Sequence, residues 1–343
     1  MTKPFFAREI YINGKKVEIP IQLGGMAVRI GGHRLAAAVA NEGGVGIIGA
    51  SGMHPKELRS EIKKAKELTN GIIGVNIMVP MEEFKELVEV CIEEKADLLV
   101  FAGGIPQSRE YTRDITKRIP SFLIVSDPRH IRLASGRLGF AGAILESGRA
   151  GGHLGTGENV SLRDILPEAA IVVNKIWETK PDFIFVVAGG VSDAADVLWA
   201  LQFADMVQIG SRFAVTVESN AHDNWKNLMV RTTEEDLAII DSPVGTMKFR
   251  AVKTPFVEKL LAGDISPLTD DFKERKCRKC FSEEVCTRNY CIFIRLALAQ
   301  KGNIEEGLFT ISPVVSKITK IQTAKEVISD LMSGLAAQQG AFI

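Results

Sequence analysis

Residues 146–155 read ESGRAGGHLG, directly after the apolar run FAGAIL. The stretch combines a carboxylate, Glu146, with four glycines and a histidine, His153. Imidazole titrates near neutrality. It can take a proton from a carbon acid or give one to a developing anion. Glycine costs backbone entropy and is kept where a ligand or another backbone must come close. Four more glycine sites end apolar runs: Gly24–Gly25, Gly103–Gly104, Gly189–Gly190 and Gly210. Each is either a tight turn or a place where a large, flat ligand meets the main chain.

A second group able to do chemistry is Cys277-x2-Cys280-x5-Cys286-x4-Cys291. Thiolates so spaced can enclose a tetrahedral zinc or an iron–sulfur cluster. The spacing is neither a double CxxC ribbon nor a bacterial ferredoxin run. Lys273, Arg275, Lys276, Arg278 and Lys279 flank the first pair and are expected to lower the thiol pKa. Redox-labile thiols without metal are the alternative. Four clustered cysteines in a reducing compartment favour metal over structural disulfides.

The elements that must position these groups follow from hydrophobic periodicity. Continuous apolar runs predict strands at 19–26, 45–51, 72–79, 97–104, 121–126, 142–147, 182–190 and 205–213. Helical patterns separate them at 34–43, 55–70, 82–95, 108–118, 128–137, 161–177 and 192–203. Strands without polar alternation are buried on both faces. Eight βα units predict a (β/α)8 barrel, a TIM barrel. A doubly wound sheet would need a GxGxxG turn after the first strand, and LGGMAVRIGG does not supply one. The barrel is expected over 1–214. The remainder, 215–343, is expected as an appended lobe with helices near 215–230 and 322–337 and an irregular stretch at 241–256.

In a barrel, the chemistry gathers at the C-terminal ends of the strands. The loops after strands seven and eight, VAGGV and QIGSRF, suit a phosphate-bearing cofactor through Gly189, Gly190, Gly210 and Ser211. Arg212 adds charge there or forms a structural ion pair. Asn76 stands in the apolar GVNIMVP, and Gln208 raises the same question in the eighth strand. A buried amide needs partners and presents both a donor and an acceptor, as a heterocycle of alternating C=O and N–H groups would require.

GVNIMVP, ESGRAGGHLG, AGGVSDAADV and VQIGSRF, in this order, resemble the nitronate monooxygenase (2-nitropropane dioxygenase) family. That family includes flavin-dependent enoyl-ACP reductases of the FabK type. The resemblance runs from about residue 17 to residue 260. It implies an FMN-binding TIM barrel. Gly24, Gly25, Met26, Asn76, Glu146, Gly151 and Gly152 would line the flavin and Gly189, Gly190, Gly210 and Ser211 hold its phosphate, while Gln208 is expected as a cofactor contact from its own chemistry. His153 matches the active-site histidine. Members often carry threonine at the position of Ser211, and the cysteine segment lies outside the family's core pattern.

The resemblance implies oxidation of nitronates or nitroalkanes by FMN, with His153 as acid or base. A second expectation keeps the fold and makes the protein an NAD(P)H-dependent reductase of enoyl-ACP or quinone type. A third is a binding or sensor protein on a degenerate barrel. Forty-two basic and 42 acidic residues balance, giving no general attraction to nucleic acid or anionic membrane. Charges at Arg8, Glu9, Lys15 and Lys16 break any signal-peptide core, and no apolar run reaches membrane-spanning length. A cytoplasmic protein acting on a small molecule, as a homodimer, is expected. His33, His54, His130 and His222 are read as surface or structural groups.

Overall fold

The computed structural model describes residues 8–339, apart from Gln107, Arg137, Thr156, Pro267, Asp270, residues 272–276, Glu283, Thr287 and Arg288. A small hairpin, β1 (Tyr11–Ile12) and β2 (Lys15–Lys16), precedes the barrel. Strands β3 (Ile21–Leu23), β4 (Val45–Gly49), β5 (Ile72–Met78), β6 (Leu98–Ala102), β7 (Ser121–Val125) and β8 (Gly142–Glu146) follow. A short strand, β9 (Gly152–Leu154), leaves the barrel before β10 (Ile184–Ala188) and β11 (Met206–Ile209) complete it. The eight barrel strands are parallel and closed in the order β10-β11-β3-β4-β5-β6-β7-β8. All eight predicted strands are present, with trimmed ends.

Burial explains why these runs become barrel strands. Every residue of β3, β4, β10 and β11 is buried, because side chains on one face fill the barrel and those on the other meet helices. The helices show the matching one-sided pattern. In α2 (Pro55–Leu68), which follows α1 (His33–Asn41), Leu58, Ile62 and Ala65 turn inward at helical spacing, and Pro55 starts the helix where its missing N–H goes unneeded. Helices α3 (Phe84–Glu93), α4 (Arg109–Arg118), α5 (Ile131–Ser135), α6 (Leu162–Thr179) and α7 (Ala194–Ala200) complete the wall, and the short α8 (Ser211–Ala214) follows β11. No helix among the described residues is long and apolar enough to cross a membrane.

The chain beyond residue 214 differs from the expectation in two places. The predicted helix near 215–230 is confined to α9 (Asp223–Arg231). The stretch expected to be irregular, 241–256, contains β13 (Lys248–Val252), which pairs antiparallel with β12 (Leu237–Asp241) just before it and with β9. The pairing partner of β13 lies about a hundred residues earlier, so local sequence carried no sign of it. Helices α10 (Pro255–Ala262), α11 (Ile292–Gln300) and α12 (Ala324–Gln339) follow. Helix α12 packs on α7 and α1, in the wall position that follows the eighth strand. The main hydrophobic core runs without a break from the barrel into Phe256, Phe281, Ile292 and Leu308.

Candidate active site

A cavity of about 870 Å3 opens at the C-terminal ends of the barrel strands. Its floor is the strand rim, from Gly24–Met26 after β3 round to Gly210–Ser211 after β11. Its roof comes from the distant chain: the β9–β13 sheet, residues 308–312 and α11, with Phe281 of the cysteine segment. All of Gly24, Gly25, Met26, Asn76, Glu146, Gly151, Gly152, His153, Gly189, Gly190, Gln208, Gly210 and Ser211 line this one cavity. The size lies toward the upper end of the range of about 300–1,000 Å3 for small-molecule sites.

The glycine-rich loop is held from behind by Arg250, which sequence reasoning missed. Its buried guanidinium donates to the carbonyls of Ala150 (3.0 Å), Gly148 (2.7 Å) and Glu158 (2.8 Å). In the β9–β13 pair, Arg250 stands opposite Gly152 and Phe249 opposite His153. The sheet thereby fixes the register that aims the histidine. The glycines divide their work. A Cβ on Gly151 would come within 2.7 Å of the Ile311 carbonyl carbon, so that glycine admits the 311–312 backbone. Gly152 has φ +78° and a Cβ there would meet nothing closer than 3.9 Å. It faces open cavity.

His153 lies edge-on to Phe249, with ring centroids 4.9 Å apart, and its Nε2 is 2.9 Å from the Ser242 hydroxyl oxygen. Burial pushes its pKa down to about 4, so the ring is neutral near pH 7. Glu146, at the end of β8, goes the other way: burial raises its carboxyl to about 7. Two groups displaced in opposite senses within one cleft mark a functional site.

These residues fit the flavin that the resemblance implies. Asn76 spends one amide N–H on the Val100 carbonyl at 3.2 Å, and its Oδ1 takes no hydrogen bond from another described residue. The Oε1 of Gln208 accepts from Gln22 at 2.8 Å, which leaves its amide N–H groups for a ligand. The Glu146 carboxylate has no hydrogen-bond partner among the described residues. At Gly210 a Cβ would meet nothing closer than the Met26 sulfur at 3.7 Å, and the backbone has no left-handed strain, so the space is open and the glycine is not needed for the fold. The Ser211 hydroxyl donates to Ser312 Oγ at 2.8 Å and accepts the Ser312 N–H at 3.1 Å, a partner not foreseen from sequence. Gly210→Val is expected to keep its circular dichroism and thermal transition while losing the bound yellow chromophore. Purification with stoichiometric flavin would show that the cofactor lies elsewhere.

Arg212 serves structure: it pairs with Asp330 at 3.2 Å and with Gln322 at 3.0 Å. His33 pairs with Glu61 and His222 caps α9, as structural groups do, whereas His130 stands at the cavity wall. Ser242, Phe249, Thr310 and Ser312 are site residues that sequence reasoning did not single out. Their only local signal was a break in periodicity.

The cysteine segment roofs the site, with Phe281 stacked on Phe293 at 5.5 Å. The Glu82 N–H bonds to the Cys280 carbonyl at 3.1 Å, tying the segment to the barrel. Among the described residues, no group of three or more histidine, cysteine or acidic side chains is arranged to hold a metal ion. At Cys280 the expected lowering of the thiol pKa is corrected. Burial, with the neighbouring sulfurs adding to it, pushes the Cys280 thiol up to about 12, and burial raises Cys291. Arg278 is turned toward Glu83 and the Gly52 carbonyl, while Lys273, Arg275 and Lys276 lie outside the described residues.

Comparison with known proteins gives a consistent neighbourhood. The family model for nitronate monooxygenase matches residues 8–94 and 82–334. The chain is 30% identical over 343 residues to a (3aS,4S,5R,7aS)-5-hydroxy-7a-methyl-1-oxo-octahydro-1H-indene-4-carboxyl-CoA dehydrogenase of Mycobacterium tuberculosis, covering 92% of each chain. It is 25% identical to a probable nitronate monooxygenase of Staphylococcus aureus, over 73% of this chain and 80% of that one. Among solved structures, FabK from Thermotoga maritima superimposes with a TM-score of 0.76 at 27% identity, over 95% of this chain and 96% of the other.

Proposed function

The chain belongs to the nitronate monooxygenase family of flavin-dependent oxidoreductases, and from that premise we propose that it is an FMN-dependent oxidoreductase acting on an acyl thioester with a bulky apolar acyl group. The carrying observation is the apolar space beyond the glycine rim. Met78, Ile105, Leu133, Phe281 and Phe293 line it. An alkyl nitronate has little apolar surface to place against such walls, whereas an acyl chain or fused ring fills them. The indene-carboxyl-CoA dehydrogenase and FabK, which each match over more than nine-tenths of the chain, support the same reading; a nitroalkane oxidase that matches as far does so at 19% identity and shares the fold.

Bound FMN would supply reversible two-electron chemistry, exchanging hydride with NAD(P)H and with the substrate. Asn76, Gln208 and Glu146 would orient it, and the roof would keep water from the reacting face. His153 would lie against the thioester carbonyl oxygen and steady the charge that develops there. Nitronate oxidation is the second reading. A neutral imidazole in the cavity favours it for a nitroalkane substrate, because such a ring can take the proton beside the nitro group and leave the nitronate.

Anaerobic absorbance separates the two. NADH or NADPH is expected to bleach the flavin band, and an enoyl-CoA thioester is expected to restore it. Bleaching of the oxidised flavin by a simple alkyl nitronate, with no response of the reduced flavin to the thioester, would overturn the proposal in favour of the second reading.

A further inference from the structure

His153 reaches the cavity from β9, but its polar partner comes from the turn between β12 and β13. There Ser242 is buried and its Oγ lies 2.9 Å from Nε2. The same oxygen accepts the backbone N–H of Val244 at 3.0 Å. A serine hydroxyl has two acceptor sites and one proton to donate. With an N–H already directed at the oxygen, that proton needs an acceptor. Among the described residues, Nε2 of His153 is the one within reach. Were Nε2 to carry the hydrogen, the Ser242 hydroxyl would be buried with its own proton unsatisfied, which costs about 1–3 kcal/mol. The hydrogen-bond count therefore favours an Nε2 that accepts. A neutral ring then carries its hydrogen on Nδ1. No described residue is hydrogen-bonded to Nδ1, so that N–H is the polar group left for a ligand.

The serine is itself firmly placed. Its N–H bonds to the Met247 carbonyl at 3.0 Å, closing the turn. Val244 bridges to Cys286, and the Gly245 N–H bonds to the Val285 carbonyl at 2.6 Å. The cysteine segment thus clamps the turn that carries Ser242, and Ser242 orients the histidine.

We propose that Ser242 is a positioning residue which holds His153 in the Nδ1–H tautomer, so that the ring presents a hydrogen-bond donor, not a base, to the cavity. The inference deepens the thioester reading, since a carbonyl oxygen needs a donor and a nitroalkane carbon needs a base. Its test requires no substrate, so its failure and the failure of that reading are separable.

The experiment is nitrogen-15 NMR of flavin-loaded protein labelled at histidine, with the His153 resonances identified by their loss in His153→Gln. Wild-type protein is expected to show a protonated Nδ1 and an unprotonated Nε2 at neutral pH. Ser242→Ala should lower the ratio of Nδ1–H to Nε2–H about fivefold, the equivalent of one ordinary hydrogen bond. Ser242→Thr, which keeps the hydroxyl, should restore it. A wild-type ring protonated on Nε2 would overturn the proposal. So would a Ser242→Ala protein with the wild-type ratio. Should the alanine variant fail to fold, the wild-type tautomer and the threonine variant decide the matter.

Discussion

Replacing His153 with glutamine is expected to lower turnover by about 10²–10³-fold, the usual worth of one hydrogen-bond donor aimed at a developing oxyanion. The flavin should remain bound, because the contacts that would hold it come from the barrel rim and not from the imidazole. A variant purified without flavin would make His153 a structural residue. The same substitution has a pH signature. Burial holds the folded pKa near 4, below the ordinary histidine value of 6.5. Between those values the unfolded chain binds the proton and the folded one does not. The stability tied to this group is therefore present above about pH 6.5 and lost as pH falls toward 4. His153→Gln should flatten that part of the profile, and denaturant titrations at a series of pH values would measure it. Glu146 acts in the opposite sense. Its carboxyl is raised from 4.5 to about 7, so the folded form holds the extra proton, and its contribution is lost as pH rises through that window. Glu146→Gln removes that slope and leaves the histidine's visible.

Arg250→Ala is expected to destabilise the protein by about 3–5 kcal/mol. The side chain is 4% exposed and its three hydrogen bonds all end on backbone carbonyls of one loop. Hydrogen bonds from a charged donor are worth about 1.5–3 kcal/mol each, and their loss would leave the carbonyls of Gly148, Ala150 and Glu158 without this partner. Burial without a carboxylate partner already weakens the charge, so part of the loss is offset by releasing the guanidinium. The sum stays large because three acceptors depend on one planar fork. Arg250→Lys should recover only part of the stability, since a single ammonium cannot span the three positions. Flavin affinity should fall in both variants, as the carbonyls of Ala150 and Glu158 flank the stretch carrying Gly151, Gly152 and His153. Equal denaturation midpoints for wild type and Arg250→Ala would show that the loop closes on its own.

Much of this protein was legible in its residues. Each barrel strand is a short apolar run bounded by polar or glycine residues, and each helix repeats its inward face within a few positions. These are local patterns, so IIGVNIM and GAILE declared themselves as buried parallel strands without knowledge of their neighbours. The rim residues were legible for the same reason: parallel topology puts every strand's C-terminal end on one side, and Asn76, Glu146, Gln208 and Gly210 had to meet there. What only tertiary structure decided is the upper half of the site. Strand β9 pairs with a partner some ninety-five residues away, and a three-residue strand has too little pattern to announce itself. The basic residues flanking the cysteines suggested activated thiols, yet at Cys280 burial raises the thiol pKa instead, and burial is set by the fold and not by the neighbouring letters. Sequence alone thus determined the barrel and placed His153 on its glycine-rich rim. The fold decided that the ring is neutral, that Arg250 holds its loop, and that Ser242 sets which nitrogen faces the cavity. Each of those depends on long-range contacts that no local window contains.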